Sequence, residues 1–289
     1  MSETSGEGTE LRRILRDALS KTAGELDVRI DADPVYGWRD RSIGTAVMRG
    51  TERLWVRIVW ARPEWARGMW WMGNQDAGVI RITEKPNLVE VREWREGPLM
   101  LRAELMTLVP GSPCAPTAEL RRDPDLEAGW WEALEHSLAA ISATPTDRLA
   151  LDPVSVRRRI AVFFDHEVDI DPARWQASHG DLHWNNLHAR PLAIVDWEAW
   201  GLAPRGYDAA FLLCHALHVP TVAAELTRRF RDDLESVDGV VSQLYVLTKL
   251  LTRADGGAHP DLVPLIHLHA DRLIGRVRVT RPTTRGVKP

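Results

Sequence analysis

The chain has 289 residues, 44% hydrophobic and 27% charged, with a formal net charge of −4. This is ordinary globular composition; slight acidity argues against a nucleic-acid binder, whose surface is usually basic, and no apolar run approaches the roughly 20 residues of a membrane span. MSETSGEGTE at the start lacks the charged-then-apolar layout of a signal sequence, and Cys114 and Cys214 fit no metal or redox spacing, so a reduced, cytoplasmic protein is expected.

Two biases in usage matter. Lysine occurs only at Lys21, Lys85, Lys249 and Lys288, so nearly all positive charge is arginine and a phosphate clamp would need a guanidinium. Several of the 13 tryptophans crowd into 55–94, which favours a large-residue core for a small lobe over an aromatic ligand wall.

Residues 1–9 are small and polar and are expected to be disordered. From Leu11 to Leu26 the apolar residues Leu11, Ile14, Leu15, Ala18 and Leu19 follow the spacing of an amphipathic helix. Residues 45–48 and 54–60, separated by a turn at 49–52, read as a hairpin. A helical or irregular stretch follows at 64–80, then strands at Leu88–Trp94 and Leu99–Leu108. After Gly111 the periodicity becomes helical, over Leu126–Ile141, Val154–Phe164, Tyr207–Leu217, Thr221–Leu234, Val240–Leu251 and Leu262–Ile274. An antiparallel strand-rich lobe at 10–108, a helical lobe at 109–278 and a loose tail at 279–289 are therefore expected, with a ligand cleft between the lobes.

The stretch SHGDLHWNNLHARPLAIVDWE at 178–198 interrupts the helices and concentrates polar groups. A turn at Ala189–Leu192 would pair 188 with 193, 187 with 194 and 186 with 195. Antiparallel partners sit ~4.5–5.5 Å apart, so Asn186 and Asp196 would meet at the mouth of the hairpin, above an apolar strand. An amide oxygen beside a carboxylate suits a hard cation such as Mg²⁺. Asp181, five residues before Asn186, could face the same point as a base without holding the ion.

The pattern His179-Gly180-Asp181-Leu182-His183-x-x-Asn186, then Ile194-Val195-Asp196-Trp197-Glu198 and Tyr207-Asp208, resembles the signature of the aminoglycoside phosphotransferase and choline kinase-like family. The resemblance implies an α+β, two-lobed protein-kinase-like fold and an ATP- or GTP-dependent, Mg²⁺-dependent transfer of the γ-phosphoryl group to a small-molecule hydroxyl. The acceptor could be an antibiotic, sugar, nucleoside or amino alcohol. It makes Asp181 the catalytic base, Asn186 and Asp196 the metal ligands, and His179, His183 and Asp208 supports of the loop.

An ATP-dependent reading also needs a basic residue on a small-lobe strand. Arg57 is the candidate: alternation places it opposite Val56 and Ile58, and arginine stands where the family often has lysine. Glu64 and Asp76 are both possible acidic partners. Residues 40–46 would cover the phosphates with Gly44 as the one glycine, and the backbone of Met106, Thr107 and Leu108 would hold adenine.

Two other functions remain open at this level. A kinase-like binding protein of weak activity would fit the arginine and the sparse glycine loop. A metallohydrolase would use His179, Asp181 and His183 as transition-metal ligands. Acidic and basic residues nearly balance between 201 and 276, so composition gives no polycation-binding signature.

Overall fold

The structure, a computed structural model, describes residues 3–280, with side chains for 8–275. The chain divides into two compact units, one made of the chain up to Val79 with Thr83–Pro110, the other of Ile80–Ile82 and the chain from Gly111 onward.

The first unit begins with α1 (Glu3–Glu25) and continues through β1 (Arg29–Ile30), β2 (Val35–Tyr36), β3 (Ser42–Arg49), β4 (Glu52–Ala61), α2 (Met69–Asp76), β5 (Leu88–Glu96) and β6 (Leu99–Thr107). These strands form one antiparallel sheet in the order β1-β3-β4-β6-β5, with β2 also paired to β3. Period-2 alternation decides its faces. Leu54, Val56 and Ile58 of β4 and Leu101, Ala103 and Leu105 of β6 turn inward onto Leu15, Leu19 and Ala23 of α1. Arg57, Arg102 and Glu104 therefore lie on the opposite face.

Helix α1 starts well before the expected boundary. An established amphipathic helix extends at little cost per added residue, so the polar start from Glu3 is helical rather than disordered. Residues 1–2 and 281–289, including most of the expected loose tail, lie outside the described residues. The tryptophan expectation is corrected too. The helix-facing core of the first unit is aliphatic, while Trp38, Trp65 and Trp70 are exposed, Trp60 and Trp94 only flank that core, and Trp71 of α2 is buried outside it with its indole N–H on Glu93. Branched aliphatics fill a helix-on-sheet layer without a polar atom to satisfy, whereas each indole N–H needs a partner when buried. Trp130, Trp131, Trp175, Trp184, Trp197 and Trp200 are the large buried rings of the second unit instead.

The second unit contains α3 (Ala128–Ser142), α4 (Pro153–Phe164), four short strands, β7 (Gln176–Ser178), β8 (Leu187–Ala189), β9 (Leu192–Ile194) and β10 (Gly201–Ala203), and then α5 (Tyr207–Cys214), α6 (Pro220–Arg229), α7 (Arg231–Leu234), α8 (Val237–Asp255) and α9 (Val263–Thr280). Strand β10 pairs with β7, and β8 with β9. The helix expected over 221–234 is two helices broken at Phe230. Leu226, Phe230 and Leu234 all bury across the break, so the apolar spacing carries no trace of it. Helix α8 is the centre of this unit, burying Val240, Leu244, Leu247 and Leu251 against α4, α5 and α9. No helix among the described residues is long and apolar enough to cross a membrane.

Leu247 is fully buried in that core, so Leu247→Ala should cost about 2–5 kcal/mol through lost transfer energy and a residual cavity. The check is urea denaturation, where the midpoint should fall with the m-value unchanged.

Candidate active site

The hairpin of β8 and β9 has the register that a turn at 189–192 demands: Leu187 pairs with Ile194, His188 with Ala193 and Ala189 with Leu192. Leu187, Leu192, Ala193 and Ile194 are buried, which anchors the hairpin and fixes which way its ends face. One step beyond the ladder, Val195 N–H donates to Asn186 O at 3.0 Å. Asn186 and Asp196 consequently leave the hairpin at the same open end.

Asn186 is held further. Its Nδ2 donates to the backbone O of Asp181 at 3.0 Å. That bond fixes the amide orientation, ties the Asp181 loop to the hairpin, and leaves Oδ1 as the acceptor atom. Asp196 is exposed and left-handed, with φ 66° and ψ 65°, a conformation that Asp adopts more readily than bulkier residues.

Behind the loop stands Asp208, in the first turn of α5. Its buried carboxylate accepts from His179 N at 2.7 Å and from Gly180 N at 3.1 Å. Burial pushes this carboxyl above its ordinary value, while His179 and the two N–H groups pull the other way. Gly180 has φ +82°, and a Cβ there would stand 2.3 Å from the carbonyl oxygen of Ala199. Only glycine fits both conditions. His179 is fully buried, its Nε2 3.0 Å from Val195 O and its Nδ1 accepting from Asp181 N at 3.4 Å. Nε2 therefore carries the proton, and the ring packs edge-on against Trp197 with centroids 4.6 Å apart. Desolvation lowers its pKa below 6.5, which keeps it neutral.

Both ring nitrogens of His179 are thus committed to backbone. The His179/Asp181/His183 metal trio of the metallohydrolase reading does not form, and among the described residues no group of three His, Cys, Asp or Glu is arranged to hold a metal. Asn186 and Asp196 offer oxygen donors only. That donor chemistry fits Mg²⁺ rather than zinc.

The Asp181 carboxylate is 32% exposed, and His183 Nε2 lies 3.8 Å from its Oδ2. His183 is largely buried, its Nδ1 has no hydrogen-bond partner among the described residues, and burial lowers its pKa. His215 of the turn after α5 is also buried. It bonds Phe211 O through Nδ1 at 2.8 Å and has a pKa lowered well below 6.5 by desolvation.

In the first unit, Arg57 faces Glu104 directly across the β4–β6 ladder, with Nη1 3.6 Å from Oε2. Glu104 is almost fully buried and also binds Asn74 of α2 at 2.7 Å and Arg102 Nε at 3.0 Å. Glu104 is not among the acids, Glu64 and Asp76, that the sequence suggests for Arg57. The available signal was a carboxylate in mid-strand, on the face that alternation gives to Arg57. Gly44 lies inside β3 and not in a loop: a Cβ would meet the Trp55 ring at 2.7 Å. Its missing side chain makes room for that indole. Met106 and Thr107 are ladder residues, and Thr107 N–H already donates to Asn87 O at 2.9 Å. Of the three adenine-holding candidates, only Leu108 lies past the strand.

No family model matches the chain, and no curated protein sequence matches it. Solved structures do. Aminoglycoside phosphotransferase APH(4)-Ia is 14% identical, with a TM-score of 0.56 over 92% of this chain and 99% of that one. Amicoumacin kinase hAmiN, in complex with AMP-PNP, Ca²⁺ and Ami, is 13% identical, with a TM-score of 0.53 over 89% and 93%. Spectinomycin phosphotransferase APH(9)-Ia, in complex with ADP and spectinomycin, is 11% identical, with a TM-score of 0.52 over 88% and 89%. The chain has the protein-kinase-like fold of these phosphotransferases, an antiparallel-sheet N-terminal unit followed by a helical C-terminal unit.

Gly180→Ala should destabilise the protein by about 2 kcal/mol or more, because positive φ and a backbone clash act together; thermal unfolding checks this. A pH effect follows from the buried imidazoles. His179, His183 and His215 have folded pKa values below 6.5, so below about that pH the unfolded chain binds more protons than the folded one. Stability contributed by these residues is complete above pH 6.5 and should fall as the pH drops from there. His215→Gln should flatten that slope in urea titrations between neutral and mildly acidic pH.

Proposed function

We propose that the protein is a nucleoside-triphosphate-dependent, Mg²⁺-dependent phosphotransferase acting on a hydroxyl of a small molecule. The observation that carries this reading is the Asn186–Asp181 bond at the mouth of the β8–β9 hairpin. It ties the loop of a partly exposed carboxylate to an amide whose oxygen is left to accept, and Asp196 emerges beside them. The kinase-like fold of the structural neighbours supports it, as do the ADP or AMP-PNP in their complexes.

Asp181 accepts the proton of the acceptor hydroxyl as that oxygen forms its bond to the γ-phosphorus and the bond from phosphorus to the nucleoside diphosphate breaks. Asn186 Oδ1 and the Asp196 carboxylate would hold Mg²⁺, which when bound supplies positive charge to the phosphate oxygens. Asp208 and His179 position the loop through backbone bonds and do not touch substrate. Arg57, kept in place by Glu104, is the candidate phosphate contact, and Leu108 the candidate adenine contact. ATP and GTP are both compatible with these groups.

Mg²⁺-ATP or Mg²⁺-GTP should raise the thermal midpoint of the wild type. With an acceptor found by mass gain of one phosphate across hydroxylated antibiotics, sugars, nucleosides and amino alcohols, Asp181→Asn should lower kcat about 10²–10⁴-fold. Nucleotide binding should persist. Wild-type turnover in that variant removes Asp181 as the base; nucleotide binding without transfer to any acceptor favours the non-catalytic binding module.

A further inference from the structure

Beside the Asp181 loop lies a group of side chains that the phosphotransfer chemistry leaves unused. Tyr207, Phe211 and His215 follow one another at four-residue spacing along α5 and its end, and Lys249 and Arg253 do the same on α8, which packs against α5. Lys249 Nζ is 3.5 Å from Tyr207 Oη and 4.7 Å from the centre of the Phe211 ring. Phe211 stacks on His215 with centroids 4.5 Å apart. His215 faces His183 at 6.4 Å, and His183 reaches the Asp181 carboxylate at 3.8 Å. One continuous chain of contacts thus runs from the candidate base to the lysine.

The charge in this cluster is unbalanced. Lys249 is half-buried, yet its contacts are a phenol and an aromatic face, both neutral. Burial pulls its ammonium below the ordinary lysine range, and the leading influence in the other direction is the charge of Asp181. Arg253 has Glu119 at 3.8 Å, but that carboxylate is shared with His259, whose Nε2 is closer at 2.9 Å. Arg159 of α4 bonds α8 through Thr248 and Thr252. Two buried nitrogens, His183 Nδ1 and His215 Nε2, add hydrogen-bonding capacity that nothing among the described residues meets. His215 Nδ1 donates to Phe211 O, so its Nε2 is an acceptor suited to a ligand hydroxyl.

We propose that Lys249 and Arg253 form an anion subsite of the acceptor pocket, so that the alcohol phosphorylated at Asp181 belongs to a molecule bearing a carboxylate or a phosphate group. This rests on the phosphotransfer reading and adds the charge of the acceptor. A half-buried ammonium with no carboxylate in contact among the described residues carries a desolvation cost, and a bound anion offsets it. A polycationic amino sugar would instead meet two like charges. In a chain with four lysines, one of them stands here.

Binding separates the two levels because it does not require turnover. Gluconate, glucose 6-phosphate, sorbitol and glucosamine are titrated by calorimetry into the wild type, Lys249→Met and Arg253→Gln, and ADP with Mg²⁺ into the same three proteins. The expected result is binding of gluconate or glucose 6-phosphate, with the two arms telling carboxylate from phosphate, and no binding of sorbitol or glucosamine. Each substitution should weaken the anion about tenfold, the worth of one charge-assisted contact, and leave ADP binding within about twofold. Lys249→Arg should restore the anion. Should Lys249→Met fail to fold, Arg253→Gln carries the same comparison from a more exposed position. The subsite is overturned if neither anion binds the wild type, if sorbitol or glucosamine binds as well as the anions, or if the folded variants keep wild-type anion affinity. Absence of ADP–Mg²⁺ binding in the wild type sinks the phosphotransfer reading instead.

Discussion

Two backbone N–H groups, those of His179 and Gly180, point at one buried carboxylate, Asp208. Without it, both donors would be left unpaired in the interior, at about 1–3 kcal/mol each. With it, the chain passes through a left-handed glycine against the Ala199 carbonyl and delivers Asp181 to the surface. The same bend seats the His179 ring where Val195 O accepts its hydrogen bond, which fastens the loop to the open end of the β8–β9 hairpin. Asn186 closes the circuit through the backbone of Asp181. The loop of the candidate base and the amide of Asn186 are therefore positioned through backbone groups, which leaves Asn186 Oδ1 as an acceptor.

The first unit solves a related problem differently. Arg57, Glu104 and Arg102 put charge on the non-core face of a sheet whose other face is aliphatic, and Asn74 and Gln75 of α2 hydrogen-bond Glu104 and Arg102. A buried guanidinium keeps its charge and spreads it over several donors, which lysine cannot do in the same way. Arg102 thus comes with a surrounding set of acceptors, Glu93, Glu104 and Gln75, while Arg57 pairs with Glu104. Charge is also the theme of α8. Lys249 and Arg253 meet aromatic rings and a shared carboxylate, so that part of the second unit is set up to receive negative charge rather than to neutralise its own.

The sequence by itself determined the α+β organisation, the inward face of β4, most helices, and the hairpin register that brings Asn186 to Asp196. Each of these depends on local periodicity or on a turn whose chemistry sits within a few residues. Strands β7 and β10 were invisible because three residues carry no periodicity, and the break at Phe230 was hidden because the apolar spacing runs through it. Only the tertiary structure decided that Glu104 faces Arg57, that Trp55 fills the space above Gly44, that Asp208 supports the loop through its backbone, and that Lys249 borders the Asp181 cluster. Those pairings join residues far apart along the chain. Which residues meet is fixed by how whole elements pack, and no local pattern of residue types encodes that.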